Sequence, residues 1–90
     1  MANYIDIIAC MKEILDIYQI PCTMNELYEG AQLRFPWTDG GIAMHHSTYG
    51  AAKGHVESYQ FPWDEGDVTE LTPIEALKNI IVYYNNKEGN

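Results

Sequence analysis

The segments RFPWTDG, residues 34–40, and QFPWDEG, residues 60–66, repeat one phrase of Phe, Pro and Trp that is followed by an acidic residue and Gly. Their Phe residues are 61 − 35 = 26 positions apart. The flanking residues do not match, which argues against a duplicated structural unit. Pro ends the hydrogen-bonded ladder of a strand, and acidic residues with Gly favour a turn. Each phrase therefore predicts the end of a β-strand, with Phe facing the core and Trp covering the edge.

The residues around the two phrases are typical of short strands separated by Gly-rich turns. We predict three strands, at residues 31–35, 42–49 and 55–61. Both separators are short enough for hairpins, which gives an antiparallel meander. The first and third strands of a meander run in the same direction, so both phrases should lie at one end of the sheet. Trp37 and Trp63 are predicted to be neighbours there.

Two helices are predicted on either side of the strands. The first covers residues 4–19, because Asn3 is a good N-cap, apolar residues recur every three or four positions, and Pro21 prevents continuation. The second begins at the capping box Thr72-Pro73-Ile74-Glu75, with Pro at the first helical position, and extends to about Asn86. The broad apolar side of each helix should pack on the sheet.

The segment between the first helix and the strands is predicted to be a short helical turn. Thr23-Met24-Asn25-Glu26 has the form of a capping box, although Leu27 and Tyr28 would equally suit the start of a strand. The resulting order is α-β-β-β-α, an α+β fold in which two helices pack on one face of a three-stranded antiparallel meander. A chain of 90 residues fits a single domain, residues 1–90.

The net charge of the chain limits the classes of molecule that it can bind. The chain has 13 acidic residues and 5 Lys or Arg, for a formal net charge of −8. Nucleic acids and anionic membranes repel such a chain, so direct binding to either is not expected. No apolar run approaches the roughly 20 residues that span a bilayer. The sequence has no signal-peptide pattern, and its two cysteines, Cys10 and Cys22, suit a reducing compartment, so we expect a cytoplasmic protein.

Acidic residues surround the end of the sheet at which the two Trp residues should meet, and no Lys or Arg occurs between Lys53 and Lys78. Binding hot spots favour Trp, and carboxylates complement a basic surface. Alternatively, the Trp side chains close the core and the acidic residues only solvate a loop. The residues predicted to contact a partner are Trp37, Asp39, Trp63, Asp64, Glu65, Asp67 and Glu70.

A second candidate site lies on the polar face of the predicted sheet. We expect Trp37 to pair with Ile42 and Tyr49 to pair with His55, which fixes the residues that share this face. Such a cluster suits a small molecule, a metal ion or acid–base chemistry. Alternatively, it is a solvated sheet face that contains a hydrogen-bonded His. The predicted residues are Arg34, His45, Glu57 and Tyr59.

The candidate metal-binding, cofactor-binding and catalytic motifs in the sequence are all incomplete. His45 and His46 are adjacent in a strand, so their side chains should point to opposite faces and not hold one ion, and His46 is predicted in the core. The acidic run that starts at Asp64 lacks the alternating oxygen ligands of a calcium loop. The sequence has no nucleophile elbow and no phosphate-binding Gly loop. We therefore expect no cofactor and no enzymatic activity.

These observations favour a small acidic protein that binds a basic, nucleic-acid-binding surface of another protein. A phage or mobile-element inhibitor of a host nuclease or defence complex is one context that suits this composition. Two alternatives stay open: a ligand-binding domain that uses the polar face, and a homodimerisation module that uses exposed aromatic side chains.

Overall fold

A computed structural model describes residues 3–88 and shows an α+β fold, which confirms the predicted class. Two helices accompany one antiparallel sheet of five strands, in the order β1-β2-β3-β4-β5. The predicted sheet of three strands was therefore too small. In chain order the elements are α1 (Tyr4–Ile17), β1 (Thr23–Leu27), β2 (Gly30–Arg34), β3 (Gly41–His45), β4 (Val56–Tyr59), β5 (Val68–Leu71) and α2 (Pro73–Glu88), with single 3₁₀ turns at Ala51–Lys53 and Pro62–Asp64.

Both predicted helices form, each with the predicted N-cap. The Asn3 side-chain oxygen accepts a hydrogen bond from the Asp6 backbone N–H at 3.2 Å. At the start of α2 the Thr72 hydroxyl accepts from the Glu75 N–H at 3.2 Å, and the Glu75 carboxylate accepts from the Thr72 N–H at 2.9 Å. The end of α1 comes two residues before the predicted residue 19, since the chain turns at Gln19 with a φ of 60°.

The two strands that the sequence prediction missed are the outer strands of the sheet. β1 replaces the helical turn predicted from the capping-box pattern of Thr23-Met24-Asn25-Glu26, because a two-residue turn at Tyr28 and Glu29 pairs Leu27 with Gly30. Pairing with β2 outweighs the local helix signal. β5 has only four residues and follows an acidic loop, so it has little strand pattern of its own.

The meander gives the sheet two distinct ends. β2 and β4 both finish at the end that carries residues 35–40 and 60–67, which we name the loop end. The opposite end carries residues 46–55, which we name the histidine end. α1 leads into β1 at the loop end, and α2 follows β5 from the histidine end, so the two helices run parallel. Both FPW phrases lie at the loop end, as predicted.

The helices cover one face of the sheet, and the other face is open. α1 packs on β1, β2 and β3, whereas α2 packs on β4 and β5. The covered face supplies alternate strand residues to a core that the helices complete. Its fully buried members include Ile8, Leu15, Leu33, Ile42, Met44, Val56 and Ile80. Among residues 3–88, no helix combines the length and the apolar character needed to cross a membrane.

The pairing of the central strands differs from the predicted register. Arg34 pairs with Gly41 and not with His45, a shift of 45 − 41 = 4 residues, and Tyr59 also pairs with Gly41. The FPW phrase leaves the ladder after Arg34, so the β2–β3 loop is longer than the turn that we predicted. An even shift leaves the side chains of residues that remain within the strands on their predicted faces.

The predicted core position of His46 is wrong. β3 ends at His45, so the alternation of buried and exposed residues does not extend to its neighbour. The His46 side chain is exposed, with its ring 5.3 Å from the Tyr28 ring and its Nδ1 3.6 Å from a Glu29 carboxylate oxygen. The turn that closes β1 and β2 therefore contacts the turn after β3.

Candidate functional site

An aromatic cluster organises the loop end. Phe35 and Phe61 are each 3% exposed, and their ring centroids lie 5.7 Å apart. Trp63 stacks on Phe61 at 4.5 Å with an interplanar angle of 6°, and Trp37 packs beside the same ring at 6.2 Å. The Tyr83 ring of α2 contacts both indoles, at 5.5 and 5.9 Å. Both Trp side chains are half-buried at the margin of the core, so most of their surface supports the loops from within.

Asp64 lies inside the protein and ties the second loop to the sheet. Its side chain is only 3% exposed. One carboxylate oxygen accepts hydrogen bonds from the Ser58 hydroxyl and the Phe61 N–H, both at 3.0 Å. The Ser58 hydroxyl in turn accepts from the Trp63 indole N–H at 2.9 Å. The sequence prediction grouped Asp64 with partner-contacting residues, but the structure gives it a position that supports the loop.

The repeated phrase contained a signal for this buried residue. At the offset of 26 positions, Asp64 corresponds to Thr38, the first residue after Trp in each phrase. Thr38 has a similar local role, because its hydroxyl oxygen accepts a hydrogen bond from the Gly40 N–H at 3.3 Å. The Thr38 backbone N–H also donates a hydrogen bond to the Phe35 carbonyl oxygen at 3.3 Å. In the second phrase, the Asp64 N–H donates to the Phe61 carbonyl oxygen at 2.9 Å. An acid at this position is therefore better assigned to a turn than to a surface.

The exposed carboxylates of the two loops belong to Asp39, Glu65 and Asp67. Asp67 accepts a hydrogen bond from the Val68 N–H at 2.8 Å, which fixes its position next to β5. Neither loop, residues 36–40 or 60–67, contains Lys or Arg. We name these two loops with their three exposed carboxylates the acidic loops.

Glu70 does not belong with the acidic loops. It is half-buried on β5, where it pairs with Glu57 of β4, and its carboxylate lies 3.4 Å from the His55 ring nitrogen Nδ1. This contact with His55 places the Glu70 carboxylate at the histidine end of the sheet. Of the seven residues predicted to contact a partner, the structure thus leaves three as exposed acids that share one end of the sheet.

The polar face brings together only part of the second predicted site. Arg34 and Tyr59 are in one row across the sheet, on either side of Gly41. The Tyr59 hydroxyl accepts a hydrogen bond from the Gln32 side-chain amide at 3.0 Å. A Cβ at Gly41 would lie 2.7 Å from the Tyr59 oxygen, so the Tyr ring requires Gly beneath it. Arg34 and Tyr59 therefore flank a shallow floor of backbone.

The other two predicted residues, Glu57 and His45, lie outside the row that contains Arg34 and Tyr59. A Glu57 carboxylate oxygen accepts a hydrogen bond from the Tyr49 N–H at 3.2 Å. His45 pairs with Gly30, four residues from the row that contains Arg34. Four residues of a strand span about 13 Å, too far for one small cluster. Within residues 3–88, no group of three or more His, Cys, Asp or Glu side chains has the placement of a metal site.

Among the residues that the structure describes, three groups have displaced pKa values, each for a local reason. A hydrogen bond to Asp16 at 3.0 Å raises the pKa of Lys12. Burial raises the pKa of the Cys22 thiol. The hydrogen bond from the Thr72 backbone N–H, followed by that from its hydroxyl, lowers the pKa of Glu75. None of the three belongs to the acidic loops, so their displaced pKa values do not mark acid–base chemistry there.

Comparison with known proteins finds no family model, no curated protein and no solved structure that matches the chain.

Proposed function

We propose that this chain is a non-enzymatic binding module that places its acidic loops on a basic surface of a partner protein. The observation that carries the proposal is the display of exposed carboxylates on loops that a buried network fixes from within. Asp39, Glu65 and Asp67 face solvent, while Asp64, Ser58 and the Trp63 indole hold the second loop beneath them.

Fixed loops favour binding because little loop freedom is lost when a partner docks. Ordering flexible side chains and loops costs free energy in every association. The stacking of Trp63 on Phe61 and the hydrogen bonds of Asp64 remove much of that freedom before binding. The carboxylates are thereby available at fixed positions.

The chemistry of the partner follows from charge. With a net charge of −8 and no cation within the acidic loops, the loops attract Lys and Arg and repel phosphate, although the exposed Arg34 precedes the first loop. Proteins that bind nucleic acids present surfaces rich in Lys and Arg, which the acidic loops would attract. Inhibition of a host nuclease or defence complex by a phage or mobile element is the context that we propose, because an acidic module would compete there with nucleic acid.

Charge reversal with a matched control tests the proposal. The loop variant is Asp39→Lys with Glu65→Lys, and the control is Glu26→Lys with Glu29→Lys, which changes the net charge equally. Each pair contains one residue with left-handed backbone, Glu65 at a φ of 51° and Glu29 at 53°. The two variants thus carry comparable strain and differ in which end of the sheet they alter.

All three proteins serve as bait in pull-downs from lysate at about 50 mM and about 500 mM salt, since screening should weaken an electrostatic contact. We expect the wild type and the control to retain the same proteins at low salt, and the loop variant to lose them. A retained protein that binds all three baits equally would contradict the proposal. Failure of a short DNA duplex to displace a purified partner from the wild type would also contradict the proposal.

A further inference from the structure

A shallow apolar groove of about 270 Å³ lies between the parallel helices α1 and α2. Ile7, Cys10 and Ile14 line it from α1, and Ile74 and Leu77 line it from α2. It is open to solvent and small beside the roughly 300–1,000 Å³ of pockets that enclose small molecules. A protein surface suits this groove better than a small ligand.

Exposed apolar side chains are concentrated on this helical layer. Of the eight large apolar side chains that are exposed among the described residues, five lie on α1, on its C-cap or on α2. Ile74 is 66% exposed and Ile14 is 36% exposed beside the groove. Contiguous exposed apolar area of this kind is typical of protein contacts.

The two sides of the groove carry opposite charges. Asp6 lines the α1 side, and Glu13 follows two helical turns later on the same side. On the α2 side, exposed Lys78 lies one helical turn after Ile74. Within residues 3–88, none of the three takes part in a salt bridge. The α1 side of the groove is therefore bordered by exposed acids, and the α2 side by Lys78, beside which the Glu75 carboxylate is held in the capping box.

We propose that a second copy of this chain covers the groove, with α1 of each copy against α2 of its partner. A two-fold axis parallel to the helices produces this arrangement and brings Asp6 and Glu13 of each copy close to Lys78 of the other. A two-fold axis across the helices would instead stack α1 on α1 and place acid on acid. A uniformly basic helix would meet Lys78 on one side of the groove, so the mixed charge favours a second copy.

Sedimentation velocity of the wild type at about 150 mM salt tests the dimer directly, since that salt screens the long-range repulsion between two acidic chains but leaves close pairs intact. We expect a concentration-dependent shift from monomer to dimer below about 1 mM. A wild type that stays monomeric over that range overturns the proposal.

Charge exchange tests the orientation of the copies. In variant A, Asp6→Lys and Glu13→Lys make both sides of the groove basic, and in variant B, Lys78→Glu makes both sides acidic. Each variant alone should dimerise at least roughly tenfold more weakly than the wild type. An equimolar mixture should recover the dimer, because every close pair then joins opposite charges. A mixture that dimerises no better than the separate variants would refute this arrangement.

A matched pair of substitutions tests the apolar contact. Ile74→Ser removes an exposed side chain at the groove, whereas Val68→Ser removes one that is 52% exposed on β5, on the open side of the sheet. Dimerisation should weaken roughly tenfold in the first variant and stay unchanged in the second. Equal effects would count against the groove.

Alkylation of Cys10 gives an independent readout, because its exposed thiol lies in the groove. In a Cys22→Ser background, the alkylation rate should fall as the protein concentration rises through the dimerisation range. A rate independent of concentration would contradict burial of the groove. The loop variant used to test the proposed function should still dimerise, so failure of one proposal is distinguishable from failure of the other.

Discussion

Replacing Asp64 with Ala should destabilise the protein more than replacement of any other acidic residue in the acidic loops. The substitution takes the acceptor from two donors, the Phe61 N–H and the Ser58 hydroxyl, each at 3.0 Å. Each buried donor left without a partner costs about 1–3 kcal/mol. Removing the carboxylate offsets part of this loss, since its second oxygen is buried without a hydrogen-bond partner among the described residues. We expect a net loss of about 3 kcal/mol.

Asp64→Asn is the matched control, because its amide oxygen still accepts from both donors while the negative charge is absent. This variant should lose about 1–2 kcal/mol, less than the Ala variant, because its NH2 group replaces a buried oxygen that already lacks a partner and is itself left unpaired. Urea unfolding at neutral pH, followed by Trp fluorescence and by far-UV circular dichroism, measures both differences. In thermal unfolding, the Ala variant should melt roughly 12–24 °C below the wild type. Stability of Asp64→Ala within about 1 kcal/mol of wild type would refute the structural role of this carboxylate.

Gly30→Ala should destabilise the sheet by about 2 kcal/mol or more in urea unfolding. The added Cβ would overlap the His45 Cβ and the Met44 carbonyl oxygen, so the backbone must move to make room. A loss below about 0.5 kcal/mol would show that the backbone of the β1–β2 turn moves at little cost. Glu75→Ala should remove the part of the stability that comes from the capping box, and its effect should depend on pH. The pKa of Glu75 is lowered from its ordinary value of 4.5, chiefly by the hydrogen bond from the Thr72 N–H. The stabilisation is therefore fully present above pH 4.5 and is lost as pH falls through the lowered pKa. Melting temperatures of wild type and variant should differ at pH 7 and converge as pH falls through the lowered pKa of Glu75, and a constant difference would contradict a role for the carboxylate charge.

The sequence predicted the features that depend on local chemistry. The Asn3 cap and the capping box of Thr72 and Glu75 both form hydrogen bonds that only a few residues determine. Both FPW phrases follow a strand end at one end of the sheet, as predicted, although β2 ends one residue and β4 two residues before the Phe that was predicted to close each strand. In each case the deciding interaction is close in sequence.

Features that depend on pairing with another strand were missed. β1 forms because β2 offers it a ladder, and the four residues of β5 likewise depend on β4. The register of β2 and β3 follows from where the first FPW phrase leaves the sheet, which composition alone does not specify.

Asp64 shows the same limit within the candidate site. A carboxylate beside Glu65 and Asp67 resembles part of a solvated acidic run, and such residues are rarely buried. Its burial depends on Ser58, six residues earlier on β4, and on the packing of Trp63 over Phe61. The acid-and-Gly composition of the phrase and the correspondence of Asp64 to Thr38 both indicated a turn residue.

The aromatic cluster also bears on the order of events during folding. It joins Phe35, Phe61 and Tyr83, which are 61 − 35 = 26 and 83 − 61 = 22 residues apart. The meander, by contrast, forms from hairpins between consecutive strands. Contacts between distant residues require closure of long loops and tend to form later than local ones. Indole fluorescence should therefore follow late assembly of the loop end, while far-UV signals should report the earlier helices and hairpins.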